Sequence, residues 1–151
     1  MKEFAEQYLK ATQDFLVMVS DLTEEQLDQS NSEGWTPRQV IHHMADSEAQ
    51  SYARLRRLIA EPGSTIQGYD EAIWAENLTL AYRSHKIESS LAVFEAVRQS
   101  SYELLLRMDE SLISNMGIHT ESGEYLVKDW INTYIKHPID HANQIREIIE
   151  N

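Results

Sequence analysis

Apolar residues recur every three or four positions along most of this chain, the spacing of helices that bury one face. The first such stretch, roughly Glu3 to Ser20, sets Phe4, Tyr8, Ala11, Phe15 and Met18 or Val19 on one side. Thr23-Glu-Glu-Gln26 has the spacing of a capping box and predicts a short extra turn. A polar stretch, Asp28 to Gly34, then breaks the pattern. The second helix has the best-marked start. Thr36 is a good N-cap, Pro37 suits the first helical position, and Gln39 completes the box. Its stripe runs Val40, His43, Met44, Ser47, Leu55 and Leu58, and Glu61-Pro62-Gly63 ends it.

No clean period holds from Pro62 to about Lys86, although Glu71 to Glu76 fits a short helical turn. A third helix, roughly Ile87 to Met108, carries Leu91, Phe94, Val97, Tyr102 and Leu105. Ile118 to Leu126 contains His-Thr-Glu-Ser-Gly-Glu and reads as a tight turn or small hairpin. The fourth helix runs from about Val127 to Glu150, with Val127, Trp130, Tyr134, His137, His141, Ile145 and Ile148 on its stripe. The fold class expected is all-α, a four-helix bundle. The long crossover between helices two and three can carry the chain back along the bundle. That favours an up-down-down-up topology, with helices two and four antiparallel.

Composition narrows the class without changing the picture. A chain of 151 residues suits a single domain, residues 1–151, and can bury about 70% of its unfolded surface. Only 5 Gly and 3 Pro argue against long loops and against an all-β design. A formal net charge of −12 repels nucleic acid and anionic membranes, so neither is an expected partner. With no cysteine there is no disulfide framework, no thiol nucleophile and no Cys-based metal site. Any thiol chemistry would use a thiol carried in by a small molecule. The first ten residues carry acidic groups and no apolar core of signal-peptide length. Nothing approaches the roughly 20 apolar residues of a membrane span, so the expected location is cytoplasmic.

The histidines change the picture. His137 and His141 lie four residues apart and so share one helical face, and that face is the apolar stripe. His43 lies on the stripe of the second helix. Unpaired imidazoles are costly to bury, and a divalent metal is the common partner that removes the cost. With about 1.5 Å of rise per residue, His43 and His141 fall about 9 and 13 Å below the same end of the bundle, at compatible levels. Three imidazoles converging from two helices leave coordination positions open, as catalytic sites do. Such a donor set suits Zn²⁺, Ni²⁺, Fe²⁺ or Mn²⁺ alike. The metal would lower the pKa of a bound water or thiol and make a nucleophile at neutral pH. The bland alternative is a helical dimerisation module whose histidines are satisfied by internal hydrogen bonds.

Other residues take lesser parts. Pro138 removes a backbone N–H and should kink the last helix or widen its turn. His42 is rotated about 100° from His43 and is expected at the surface. His85 and His119 fall in predicted loops and are expected to be solvated. Asp46 is a candidate to orient an imidazole from outside the ligand set. Asp46, Asp70 and Glu71 are also the candidate general bases should the crossover fold over the site. Trp35, Trp74 and Trp130 are expected to pack.

Three segments resemble one family. Gly34-Trp-Thr-Pro-Arg-Gln-Val-Ile-His-His-Met-Ala-Asp-Ser47 resembles the second-helix signature of the DinB/YfiT-like superfamily. Tyr69-Asp-Glu-Ala-Ile-Trp-Ala-Glu76 resembles the crossover segment of its YfiT branch, and His137-x-x-x-His141-x-x-Gln-Ile145 its last helix. The resemblance runs over roughly the whole chain. It implies an up-down-down-up bundle, often a homodimer, with a divalent metal on three histidines. Position by position the ligands it implies are His43, His137 and His141. It also implies chemistry with a low-molecular-weight thiol, or metal-dependent hydrolysis. The leading expectation is a transferase that activates a small thiol on the metal and adds it to an electrophilic small molecule. The alternatives are a metal-dependent hydrolase of small esters or amides, and the non-enzymatic module.

Overall fold

The computed structural model describes residues 1–30 and 34–150. The middle of the polar stretch, residues 31–33, and the last residue of the expected domain, 151, lie outside the described residues. Among the described residues six α-helices run in chain order: α1 (Lys2–Ser20), α2 (Glu24–Leu27), α3 (Pro37–Ala60), α4 (Glu71–Glu76), α5 (Glu88–Arg107) and α6 (Val127–Ile149). Both capping boxes close. The Thr23 and Thr36 hydroxyls accept from the backbone N–H groups of Gln26 and Gln39, whose side chains reach back. These contacts satisfy donors that a helix start leaves free, and they fix where α2 and α3 begin.

The four long helices form the expected bundle, and side-chain contacts give its directions. Arg38, His42 and Arg56 of α3 meet His85, Ser90 and Ser100 in rising order, so α3 and α5 run parallel. Glu48 and Arg54 meet His137 and Tyr134 in falling order, so α3 and α6 run antiparallel. Phe15 packs on Phe94 and Tyr8 under Arg98, which sets α1 antiparallel to α5. That is up-down-down-up. Each of α5 and α6 packs against both α1 and α3. The segment containing α2 lets α1 and α3 take opposite corners.

The connections add a small sheet to a helical fold. β2 (Met116–His119) and β3 (Gly123–Leu126) form the hairpin, and β1 (Thr65–Ile66) from the crossover joins β2 in parallel. The hairpin was legible as a turn; β1 was not, because two residues carry no period. Gly117 makes room for β1, since a Cβ there would lie 2.8 Å from the Ser64 carbonyl oxygen. Gly123 turns the hairpin at φ +80°.

Two apolar clusters fill the interior. One gathers Tyr8, Leu55, Leu58, Leu105 and Trp130; the other gathers Phe15, Val40, Met44, Phe94 and Ile145. Between them lies a buried polar layer of Thr12, Ser47, Glu48, Ser51, Arg98 and Ser101, with His137 beside it. Among the described residues no helix is long and apolar enough to cross a membrane.

Pro138 does not break α6, which is helical throughout. Its missing N–H leaves the Tyr134 carbonyl without the usual i+4 donor. Arg98 Nη1 donates to that carbonyl at 3.0 Å instead. The helical bond that the proline removes is thus replaced by one from a neighbouring helix. The buried face of α5 also differs from expectation. Phe94, Arg98, Ser101 and Leu105 line it, while Val97 and Tyr102 are only partly buried.

Candidate metal centre

The polar layer is where α3 and α6 bring the three histidines together. One ring nitrogen each from His43, His137 and His141 lies within 4.8 Å of the others. The Nε2 atoms of His137 and His141 are 3.1 Å apart. Nitrogens bound to one tetrahedral Zn²⁺ at about 2.05 Å would sit roughly 3.3 Å apart, so the spacing matches ligands converging on one ion. Both ring nitrogens of His43 are buried without a hydrogen-bond partner, and so is Nδ1 of His137. Orphaned buried donors and acceptors of this kind call for a partner. These residues fit a divalent cation.

Electrostatics keep the rings ready for one. Burial, and then the neighbouring His141 and His137, push the His43 pKa down to about 3. Burial, and then His137, push His141 down to about 4. Neutral imidazoles are the form that binds metal. His141 Nδ1 lies 2.7 Å from Gln144 Oε1, an acceptor that keeps the proton on Nδ1 and leaves Nε2 free. Trp35 packs on the His43 ring, at 5.0 Å between centroids.

The acidic candidates separate. Glu71, at the start of α4, places Oε2 3.9 Å from His43 Nε2, and partial burial raises its pKa. Asp70 instead caps α4, accepting from the Ile73 N–H at 3.0 Å. Asp46 accepts a short hydrogen bond from Tyr82, not from an imidazole. Two of the lesser histidines, His42 and His119, also depart from expectation. His42 is buried, its Nδ1 2.8 Å from Ser90 Oγ and its Nε2 3.1 Å from the His85 carbonyl. His119 lines a cavity of about 240 Å³ together with Arg54, Tyr69, Glu71, Tyr125, Tyr134 and His137. The His85 side chain is exposed, as expected for a loop. Trp130 is core, and Trp74 packs on Tyr69 at 4.6 Å.

Two charged residues of the layer escaped the sequence reading. Arg98 Nη1 lies 2.5 Å from Glu48 Oε1, and the pair is buried. Glu48 Oε1 in turn lies 3.7 Å from His137 Nδ1. The available signal was a lone Glu on the α3 stripe and a lone Arg on the α5 stripe. Charges on two buried faces pair with each other or do not fold.

A model of the DinB superfamily matches residues 7–145. The chain belongs to the DinB superfamily. Among relatives, a protein of Oceanobacillus iheyensis named "Putative metal-dependent hydrolase" is 39% identical over 131 residues, covering 86% of this chain and 74% of its own. One of Bacillus mycoides with the same description is 32% identical over 133 residues, covering 87% and 75%. The solved structure of YfiT from Bacillus subtilis, described as a probable metal-dependent hydrolase with an unusual four-helix bundle topology, aligns with TM-score 0.89. It is 25% identical, and the match covers 98% of this chain and 85% of that one. The DinB fold is thus shown from two directions, by sequence and by shape.

Proposed function

We propose that this DinB protein is a divalent-metal-dependent hydrolase of small esters or amides, with the ion held by His43, His137 and His141. The observation that carries the reading is His43, a buried imidazole with both nitrogens unpartnered, facing two more imidazoles. The names of the relatives favour hydrolysis over other uses of such a centre. A bound Zn²⁺, Ni²⁺, Fe²⁺ or Mn²⁺ supplies Lewis acidity that activates water and polarises a carbonyl.

The chain's own groups supply the rest. Glu71 Oε2 stands beside the imidazoles and takes a proton from the attacking water, then returns it to the leaving group. Its raised pKa brings it nearer the range where a carboxylate both accepts and donates at neutral pH. The cavity beside His137, about 240 Å³, has room for a small substrate. Within it, Arg54 donates to Tyr134 Oη at 3.1 Å and to the Gln67 carbonyl at 2.7 Å, which fixes a cation in the wall.

Elemental analysis of tag-free protein tests the centre. About one divalent ion per chain is expected in the wild type, and its loss in both His43→Ala and His141→Ala. A wild type that stays metal-free after incubation with Zn²⁺, Ni²⁺ and Mn²⁺ would discard the reading. Thiol transfer is the second reading, with a low-molecular-weight thiol in place of water. Arg54 favours it by offering a cation to an acidic group of such a cofactor. Activated esters and amides report the first reading, and metal- and thiol-dependent loss of monochlorobimane reports the second.

A further inference from the structure

Glu48 has no part in the hydrolysis just described, yet it is 1% exposed and stands next to a metal-ligand candidate. Its Oε1 is fixed by Arg98 Nη1 at 2.5 Å, while its Oε2 has no hydrogen-bond partner. His137 Nδ1, 3.7 Å from Oε1, has none either. The unpartnered Nδ1 thus faces the same carboxylate oxygen that Arg98 fixes, and a carboxylate oxygen has a second lone pair to accept with, so a bond there waits on a small movement. Closing 3.7 Å to the roughly 2.8 Å of a charge-assisted N–H···O bond takes a shift of about 1 Å.

Arg98 keeps Glu48 in place, because three further bonds, to α1 and α6, hold the guanidinium. Nε donates to Thr12 Oγ1 at 2.6 Å, and Nη2 to the Tyr8 carbonyl at 3.2 Å. Nη1 is shared between Glu48 and the Tyr134 carbonyl that Pro138 left without its helical donor. The guanidinium also lies over the Tyr8 ring, 3.8 Å from its centroid. The proline directly after His137 therefore opens the anchor point for the arginine that fixes the carboxylate facing His137.

We propose that Glu48, fixed by Arg98, is the positioning carboxylate of His137: it holds the proton on Nδ1 and so presents the Nε2 lone pair towards His43 and His141. The inference rests on the metal-site reading and adds residues to it. A ligand imidazole whose second nitrogen donates to a carboxylate is held in one tautomer and orientation and binds metal more strongly. Glu48 and Arg98 touch neither substrate nor metal.

The test is metal affinity, by chelator competition with Zn²⁺ and by titration of the Co²⁺ visible spectrum. Glu48→Gln alone strands a buried cation and is at risk of not folding. The double variant Glu48→Met/Arg98→Met removes both charges, and a well-packed apolar replacement of a buried pair is commonly tolerated. The metal-free double variant should keep its helical circular dichroism and a cooperative melt, and lose about 10- to 100-fold in affinity. Where Glu48→Gln folds, its amide oxygen still accepts from Nδ1, so it should lose less. Affinity within about threefold of wild type in the folded double variant overturns the proposal.

A second readout needs no substitution. Nitrogen-15 spectra of the Zn²⁺-loaded wild type should place the His137 proton on Nδ1. A proton on Nε2 overturns the proposal. A wild type that takes up neither ion overturns it together with the metal-site reading. Tight binding that weakens in the double variant without any hydrolysis overturns the hydrolase reading alone.

Discussion

His43 sits where an apolar side chain would cost nothing, and its burial has a measurable consequence in acid. Its folded pKa is about 3, against about 6.5 for an unperturbed histidine. Below pH 6.5 the unfolded chain binds a proton that the metal-free folded chain refuses, so stability falls as pH falls from 6.5 towards 3. Between pH 8 and pH 5 that one group should remove about 2 kcal/mol. Denaturant melts in a chelator at those two pH values should show the loss, and His43→Leu should abolish about that share of it. An unchanged pH dependence in His43→Leu would show that His43 is free to protonate while folded. Glu71 makes the complementary case, since it is half-exposed and the proposed hydrolysis assigns it the proton transfers. Glu71→Gln should leave metal content and melting temperature at wild-type values while lowering kcat about 100- to 10,000-fold. A kcat within threefold of wild type would remove Glu71 from the mechanism.

Neighbouring residues on α3 serve different elements. His43 faces α6, whereas His42, one position earlier, ties α3 to the loop before α5 and to α5 itself through the His85 carbonyl and Ser90 Oγ. Nothing in the pattern of the helix called for burying both, because a single amphipathic stripe has room for one of two adjacent residues. α3 is buried more widely than its stripe: Ile41, His42 and Ala45 are covered as well, and α4 and the loop before α5 pack on α3 beside its bundle-facing stripe. That covering was illegible from a segment with no period. His42→Ala should therefore lower stability by roughly 2 kcal/mol, from a lost pair of buried hydrogen bonds and the space left behind. Metal stoichiometry should stay near one. His43→Ala should do the reverse, abolishing metal binding at little cost to the metal-free fold. Parallel thermal melts and metal analyses of the two variants check this, and metal loss in His42→Ala would contradict the division of roles.

The bundle and its directions were readable because long helices repeat their pattern many times and the three histidines sit on stripes that repeat with them. The polar layer was not, because Glu48 and Arg98 make sense only as a pair brought together by folding from fifty residues apart. That layer separates two apolar clusters, and the imidazoles at its edge join α3 to α6 across it. An ion bound there links antiparallel helices that are far apart in sequence, and so it favours the folded chain by mass action. At a free concentration about 1,000 times its dissociation constant, the ion should add about 4 kcal/mol. For a chain of this length that raises the melting temperature by about 10 °C. Chelator should reverse the shift. The ion should also flatten the acid dependence described for His43, because a coordinated imidazole has no lone pair left to protonate until the metal leaves. Scanning calorimetry of apo and loaded protein at pH 7 and pH 5.5 tests both effects together. A shift at pH 7 that vanishes in His141→Ala would tie the stabilisation to the three-histidine centre; a shift that survives there would place the stabilising ion elsewhere on this acidic surface.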